Sequence, residues 1–132
     1  MKAIDRTLAL PFAEAAARVR AALATEGFGV LSEIDVAATF RAKLDLERPA
    51  LTILGACNPA FAHRGLSADP SLALVLPCNV VLEDVGEGRT RVSIADPRAM
   101  FALGDPARTA ADLALADEVA AALARVADRF GA

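Results

Sequence analysis

The stretch "NVVLEDVGEGRTRVSIA", residues 79–95, decides the fold class of this chain. It contains two short β-prone runs separated by "GEG", in which Gly86 and Gly88 can take the positive backbone angles that a tight reversal needs. The sequence therefore predicts a β-hairpin at this position. Because a hairpin joins two antiparallel strands, the stretch favours a largely antiparallel sheet.

Three further strands are predicted before the hairpin, at residues 2–9, 28–36 and 50–56. The middle one alternates between apolar and polar residues, which is typical of a strand with one buried and one solvated face. Its apolar side is predicted to hold Phe28, Val30, Ile34 and Val36, and its wet side Leu31, Glu33 and Asp35.

Two long helices and a short one are predicted from apolar residues that recur with a helical period. The first long helix spans residues 11–26, with Pro11 in its first turn and Gly27 at its end. The short helix spans residues 37–45, and the second long helix spans residues 106–130. The buried faces are predicted to hold Phe12, Ala16, Val19 and Leu23 in the first and Leu115, Val119, Leu123, Val126 and Phe130 in the last.

Asn-Pro or Asp-Pro pairs predict four helix starts, at residues 58–59, 69–70, 96–97 and 105–106. In each pair the Asn or Asp side chain can accept hydrogen bonds from the free backbone N–H groups of the first turn. Proline suits the first helical position because its missing donor costs nothing there. These residues therefore have a sufficient structural explanation.

The predicted elements follow the order β-α-β-α-β-α-β-β-α in a single domain, residues 1–132, which no repeat, linker or low-complexity stretch divides. A chain of 132 residues is long enough for one domain with a real core and too short for two ordinary ones. Strands with one solvated face, in a sheet whose other face is covered by helices, define a two-layer α+β sandwich. We expect a mainly antiparallel five-stranded sheet with helices on one face.

Composition and charge argue against several classes of protein. The longest strongly apolar run, residues 72–76, is far shorter than the roughly 20 residues of a membrane-spanning helix. A net charge of −3, without Trp, Tyr or a basic cluster, gives no expectation of a nucleic-acid partner. The first residues lack the apolar core of a signal peptide. We therefore expect a cytoplasmic protein whose cysteines are reduced.

The two cysteines stand in similar settings, because each is followed by an asparagine. Strand parity puts Cys57 on one face with Ile53 and Gly55. Cys78 likewise shares a face with Val80, and both thiols are predicted to point toward the helical layer. A free cysteine commonly packs as a small buried hydrophobe, and this structural interpretation stands beside every chemical one.

Cys57 is the better candidate for a nucleophile. Asn58 as N-cap and Pro59 as first helical residue place it directly before a helix N-terminus, where the partial positive charge favours a thiolate. The single histidine, His63, lies about one and a half turns along that helix, so its ring meets the sulfur only if the cap bends back. His63 is otherwise an ordinary surface or hydrogen-bonded residue.

The position of Cys78 relative to Cys57 depends on topology. If the third and fourth strands are adjacent and antiparallel, the two Cys-Asn dipeptides face each other, whereas a parallel crossover separates them by roughly 20 Å. Cys57, His63 and Cys78 also form a ligand set known from zinc sites. Without a C-x-x-C pair or a second histidine this metal signal is weak. Phosphate-loop, dinucleotide and serine-hydrolase signatures are missing.

Five ordered motifs run through the chain: "GFGVLSEIDV" at 27–36, "ILGACNPAFAHR" at 53–64, "LxxDP" at 66–70, "LPCNVV" at 76–81 and "DPxxM" at 96–100. With these motifs the chain resembles, nearly end to end, a bacterial and archaeal family of domains of unknown function, number three hundred and two in that series. The resemblance implies a compact α+β domain with an antiparallel sheet and no settled biochemical role. The motif positions present here are Cys57, Asn58, Pro59, His63, Arg64, Asp69, Pro77, Cys78 and Asn79.

One position departs from the pattern that the resemblance implies. Gly65 stands where alanine or a similar helix former is expected. Because glycine is a poor helix former, we expect it to weaken the short helix near His63.

The first function that we expect is a small binding module with a pocket at the sheet edge. The asparagine amides supply hydrogen-bond donors and acceptors, and the thiols supply polarizable sulfur atoms, for a small ligand or a soft metal. The identity of ligand, metal or cofactor does not follow from the residues. The pocket is predicted to be lined by Cys57, Asn58, His63, Cys78 and Asn79.

Two other functions stay open. One is a thiol-dependent enzyme or redox factor, with Cys57 as nucleophile, Cys78 as resolving thiol and His63 as proton donor or acceptor. The other is a homodimer that assembles through the outward face of the sheet. That face is predicted to carry Leu31 and Val81 beside Glu33 and Glu83.

Overall fold

The computed structural model describes residues 3–103 and 110–131, and these ranges hold five strands, five α-helices and a 3₁₀ helix. The strands are β1 (Ala3–Leu8), β2 (Gly29–Asp35), β3 (Leu51–Cys57), β4 (Cys78–Gly86) and β5 (Arg89–Ala95). The helices are α1 (Phe12–Thr25), α2 (Val36–Leu44), α3 (Pro59–Ala68), α4 (Pro97–Phe101) and α5 (Ala110–Asp128), and the 3₁₀ helix is Pro70–Leu74.

The five strands form one antiparallel sheet in the order β1-β5-β4-β3-β2. The predicted hairpin is the β4–β5 pair, and β1 pairs with β5 so that Ala3 lies opposite Ala95. On the other side of the hairpin, β3 pairs with β4 and β2 forms the far edge. The predicted α+β class with an antiparallel five-stranded sheet is confirmed.

The hydrophobic core lies between one face of the sheet and the helices α1 and α5. Each side chain that is fully buried there contributes roughly 1.5–3 kcal/mol relative to exposure. The predicted buried face of the last helix is confirmed, since all five of its residues belong to the core. Fully buried core residues include Val19, Leu23, Val80, Leu82, Val92, Ile94, Leu123 and Val126.

The helix starts predicted at 58–59, 69–70 and 96–97 are confirmed. Asp69 accepts a hydrogen bond from the Ser71 N–H at 3.0 Å, and Asp96 from the Arg98 N–H at 2.9 Å. The start predicted at 105–106 lies outside the described residues, and so does the beginning of the predicted last helix. In the part of the chain that is described, no helix is both long and apolar enough to cross a membrane.

The alternation predicted for residues 28–36 is wrong beyond Val30, because the pairing of β2 with β3 shifts by one residue there. Leu31 is the extra residue of this β-bulge and is 69% exposed. Val30 lies opposite the buried Ala56 on the helix side, whereas Ile34 lies on the open face. A bulge inserts one residue and so exchanges the faces of all the residues that follow.

The same bulge changes the surface predicted for a homodimer. Glu33 lies on the helix side, where its carboxylate is 3.1 Å from the Arg20 guanidinium of α1, and Leu31 lies at the bulge. Their predicted place on the outward face is therefore wrong. Val81 and Glu83 do lie on the open face, and the homodimer stays a prediction. The large apolar residues of that face include Ile34, Leu51, Ile53 and Val81.

Gly65 does not end α3, which continues to Ala68. The glycine is buried, and an added Cβ would lie 3.2 Å from Leu72 Cδ1 and 3.6 Å from Leu115 Cδ2. A residue without a Cβ therefore lets α3 approach the 3₁₀ helix and α5 closely. This close packing explains why glycine is accommodated at a position where the sequence pattern favours alanine.

Candidate functional site at the end of β3 and β4

The two cysteines lie at the same end of neighbouring strands. Because β3 and β4 are adjacent and antiparallel, the end of one strand meets the beginning of the other. Ala56 lies opposite Cys78, and Gly55 lies opposite Asn79. Cys57 follows Ala56 directly, so the two Cys-Asn dipeptides stand side by side and the topological condition for a joint site is met.

The orientation predicted for β3 is wrong, because the face that carries Ile53 and Gly55 is not the face that packs against the helices. Leu54 and Ala56 are the residues of β3 that lie fully buried beneath the helices, so Ile53 and Gly55 belong to the open face. Cys57 is the last residue of the strand and is half-buried. It borders the interior at the point where the chain leaves the sheet for α3.

Cys78 belongs to the helix-facing side of β4, as predicted, and is 7% exposed. Both cysteines border one cavity of about 30 Å³. This is room for roughly one or two water molecules and is far below the roughly 300–1,000 Å³ of pockets for small organic ligands. No described residue that borders the cavity carries a charge. Its largest apolar contributors are Phe28, Phe61, Leu72, Leu76, Phe101 and Val119.

Burial, and secondarily the charge of a Cys57 thiolate, raise the pKa of the Cys78 thiol from 9.0 to about 11. A thiolate in an apolar cavity loses its hydration, so the neutral thiol is favoured. At neutral pH Cys78 is therefore a protonated thiol, and it is not suited to begin a reaction.

Asn58 connects the site to two structural elements. Its Oδ1 accepts hydrogen bonds from the N–H groups of Ala60 at 3.1 Å and Phe61 at 3.3 Å, which caps α3. Its Nδ2 donates to the backbone oxygen of Glu26 at 3.0 Å, in the turn between α1 and β2. The amide is thus engaged on both sides by the fold, which gives Asn58 a structural role, and the predicted ligand contact stays a prediction.

The turn that Asn58 contacts is itself held in place. The Glu26 carboxylate accepts a hydrogen bond from Arg125 Nε of α5 at 2.8 Å, and the Glu26 side chain is only 16% exposed. Gly27 has a φ of +80°, and an added Cβ would lie 3.2 Å from Asn58 Nδ2. The α1–β2 turn therefore fits closely around the amide and is joined to α5.

Arg64, another motif residue, has a structural explanation. It donates two hydrogen bonds to the Glu118 carboxylate of α5, at 3.2 and 2.9 Å, and this interaction lowers the pKa of Glu118. Its guanidinium also lies 6.0 Å from the centre of the Phe61 ring, which is 6.3 Å from the ring of Phe28. These contacts fix α3 against its neighbours.

The predicted five-residue pocket is divided in the structure. His63 is exposed on α3 and does not border the cavity, and its backbone oxygen accepts from the Ser67 hydroxyl at 2.6 Å. Asn79 is exposed and borders a separate groove of about 290 Å³, whose rim includes the exposed Leu74 and Leu103. The cavity brings together Cys57, Asn58 and Cys78.

The metal site predicted from Cys57, His63 and Cys78 is not assembled. Within residues 3–103 and 110–131, no group of three or more His, Cys, Asp or Glu side chains is arranged to hold a metal ion. His63 is the ligand that the fold keeps away from the thiols, because it is exposed on α3 outside the cavity. The chemistry available at the strand ends is therefore that of two neighbouring thiols.

Several residues of the site were not identified from the sequence. The apolar wall residues carry no individual signal, because any buried Phe or Leu looks alike in a sequence. The pair formed by Glu26 and Arg125 joins residues far apart in the chain. The sequence marks Gly27 only as the end of a helix, although this glycine also makes room for the Asn58 amide. Contacts between distant segments leave no local pattern in the sequence, so these residues can be identified only from the three-dimensional structure.

Nearly the whole chain is similar to known proteins of one family. A sequence model of the family described as "Domain of unknown function DUF302" matches residues 4–130. The crystal structure of an uncharacterized conserved DUF302 protein from Bacillus stearothermophilus superposes with a TM-score of 0.87. It is 25% identical in sequence, and the match covers 98% of each chain. No curated protein matches.

Proposed function

This chain belongs to the DUF302 family, and because the description of that family names no activity, we propose a function from the chain's own geometry. The protein is a dithiol–disulfide exchange factor in which Cys57 reacts with a small disulfide and Cys78 resolves the product. The observation that carries this proposal is the position of the two thiols. They lie side by side at two strand ends and border the same cavity, one half-buried and the other buried.

The reaction has two steps that conserve atoms and electrons. The Cys57 thiolate attacks one sulfur of a small disulfide R–S–S–R, the S–S bond breaks, and RS⁻ leaves and takes up a proton. Cys78 then loses its proton and attacks the Cys57 sulfur of the mixed disulfide, which releases the second RSH. Two electrons pass from the protein dithiol to the small disulfide, and the protein is left with a Cys57–Cys78 disulfide.

The order of the two cysteines follows from burial and protonation. Cys57 is the more accessible of the two thiols, and it directly precedes the capped N-terminus of α3. Cys78 is buried and protonated at neutral pH. A disulfide in solution therefore meets Cys57 first, and Cys78 acts only within the mixed disulfide.

The uncharged wall of the cavity supports disulfide exchange over metal binding. Two thiolates around a monovalent soft cation leave a net negative charge, and an apolar site without charged neighbours disfavours a buried charge. A dithiol and a disulfide are both neutral. The cavity is also too small for most organic ligands, so it suits a reaction in which only the sulfur atoms meet. The soft-metal site stays a prediction that this reasoning does not favour.

The experiment is oxidation of the folded protein with glutathione disulfide at neutral pH, followed by intact-mass spectrometry. We expect the wild-type protein to lose the mass of two hydrogen atoms, because the internal disulfide is the end product. Cys78→Ser should stop at a stable mixed disulfide with glutathione on Cys57. Cys57→Ser should remain unmodified while it is folded, because Cys78 is buried and protonated. A wild-type protein that accumulates the glutathione adduct without closing the internal disulfide would contradict the proposal.

A second candidate function is binding of a small molecule in the groove beside Asn79. Its volume of about 290 Å³ is close to the lower limit of known ligand pockets, and the Asn79 amide is a polar group on a mostly apolar wall. We expect a metabolite that binds there to raise the melting temperature in a thermal-shift screen. Asn79→Ala should remove that increase and Cys57→Ser should keep it. If no compound acts, or if Asn79→Ala has no effect, this candidate is lost.

A further inference from the structure

Helix starts in this chain carry two different dipeptides. Asp-Pro stands at 69–70, 96–97 and 105–106, and Asn-Pro stands only at 58–59, directly after Cys57. Asp and Asn are comparable N-cap residues, and the negative charge of Asp adds a favourable interaction with the helix dipole. Helix capping alone therefore does not account for a neutral residue at position 58.

Two properties of the asparagine amide distinguish it from a carboxylate here. Its Nδ2 donates to the Glu26 backbone oxygen at 3.0 Å, which a carboxylate cannot do. It is also uncharged, and it borders the same cavity as the Cys57 and Cys78 thiols. A carboxylate at position 58 would put the only negatively charged side chain among the described residues that border this cavity beside Cys57.

Coulomb repulsion between such a carboxylate and a forming thiolate is large enough to matter. Two like charges about 5–6 Å apart interact by roughly 1 kcal/mol in a water-like environment and by more near a protein surface. This corresponds to a change of roughly three- to tenfold in the population of the thiolate. The capping oxygen can remain in place while the reactivity of the thiol falls.

We propose that Asn58 is the positioning residue of the Cys57 thiol, and that it must be a neutral cap for Cys57 to react. Its amide holds the α3 N-terminus and the α1–β2 turn together beside the sulfur without adding negative charge to the cavity. The Glu26–Arg125 pair supports this arrangement by fixing the turn to α5. This inference rests on the proposed function, in which Cys57 is the thiol that reacts first.

The test compares Asn58→Asp with Asn58→Ser. Both variants keep a capping oxygen and both lose the amide Nδ2 group that donates to Glu26, so they differ mainly in charge. The rate of Cys57 alkylation is measured with iodoacetamide at pH 7.5 in the Cys78→Ser background, because this reagent is uncharged and is not steered by position 58. We expect alkylation of the N58D variant to be roughly three- to tenfold slower than that of N58S at low salt.

Salt concentration separates the charge effect from a structural effect. In 1 M salt the screening length falls to roughly 3 Å, so we expect the difference between N58D and N58S to shrink. A difference that stays constant, or equal rates at low salt, would overturn the proposal. Circular dichroism must show that both variants are folded.

Two further variants complete the design. Asp35→Asn exchanges the same two residue types at the N-cap of α2, where Asp35 accepts from the Ala38 N–H at 2.8 Å. Asp35 lies at the opposite end of β2 from Gly29, which pairs with Cys57, and the strand rise separates Asp35 from Gly29 by roughly 20 Å. We therefore expect Asp35→Asn to leave the rate of Cys57 alkylation unchanged. If N58D does not fold, Ala60→Asp brings a charge to the first turn of α3 with Asn58 intact, and the same salt-dependent slowing is expected.

The two proposals fail in different ways. If the wild-type protein never closes the internal disulfide, but Cys57 alkylation still depends on the charge at position 58, the proposed exchange function is refuted and the proposed role of Asn58 stands. If the N58D variant closes the disulfide normally and its Cys57 alkylation rate is unchanged, the exchange function stands and the proposed role of Asn58 is refuted.

Discussion

Raising the pH from 9 to 11 is expected to lower the free energy of unfolding by roughly 2 kcal/mol through Cys78. The pKa of this thiol is about 11 in the folded protein against an ordinary value of 9.0. Below pH 9 both the folded and the unfolded state keep the proton, so the stabilising contribution is complete. Between pH 9 and 11 the unfolded chain loses the proton while the folded chain keeps it, and stability therefore falls as the pH rises.

Urea denaturation at a series of pH values from 8 to 11.5 measures this effect. In Cys78→Ala the part of the decrease that comes from Cys78 should vanish, even though the variant is less stable at pH 8 because of the cavity that it leaves. In Cys57→Ser the decrease should become smaller, because the Cys57 charge is the secondary cause of the shift. The sequence has no tyrosine, which leaves few other groups to titrate in this range. Parallel curves for wild type and Cys78→Ala would show that Cys78 is not buried.

Gly55→Ala is expected to lower the free energy of unfolding by about 1–3 kcal/mol, as overpacking of a filled site does. An added Cβ would overlap the Ser32 hydroxyl oxygen and lie 2.7 Å from Cγ of Pro77. The serine hydroxyl can rotate away, but the proline ring is rigid and directly precedes Cys78. The substitution therefore pushes the start of β4 away from β3, which is where the two thiols meet.

Chemical denaturation of three variants checks this prediction. Gly29→Ala is the matched control, because an added Cβ there meets nothing within 4 Å. It should be neutral or slightly stabilising, by up to about 1 kcal/mol, since alanine restricts the unfolded chain. Adding Ser32→Ala to Gly55→Ala should recover part of the loss but not all of it, because Pro77 remains. Gly55→Ala with the stability of Gly29→Ala would mean that Pro77 moves without cost.

The parts of the fold that were predictable depend on residues close together in the sequence. The hairpin follows from Gly86 and Gly88, and α3 follows from the capping residue Asn58 and its proline. The long α5 follows from apolar residues with a helical period, because such a face must be buried. Each of these signals is local, so no knowledge of the other elements was needed.

The parts that were not predictable depend on pairing between distant segments. The order of the strands places β1 beside β5, and no residue of either strand specifies that choice on its own. The bulge at Leu31 has no glycine or proline to mark it, so the faces of Glu33 and Ile34 were assigned the wrong way round. The orientation of β3 was predicted wrongly because both of its faces carry apolar residues, so its sequence does not mark which face packs against the helices.

The candidate site was predictable in its residue types and not in its extent. Two cysteines, each before an asparagine, directed attention to the strand ends that the structure brings together. The exclusion of His63 and Asn79 from the cavity depends on where α3 begins and on which face of β4 a residue lies. The volume of the cavity depends on how large side chains from four helices pack, which no motif encodes.

The pairing of β1 with β5 has a consequence for how the protein is made. In the described sheet β1, which is synthesised before the other strands, has β5 as its one neighbour. Ala3 can pair only after Ala95, in the second strand of the hairpin, has been synthesised. We expect the closing of so long a loop to come late in folding, because its entropic cost precedes any gain in contacts. Until then β1 is an unpaired strand on a growing chain, which other chains could join. The charged pair Asp5 and Arg6 in its middle discourages such association, and the strand made first completes the sheet last.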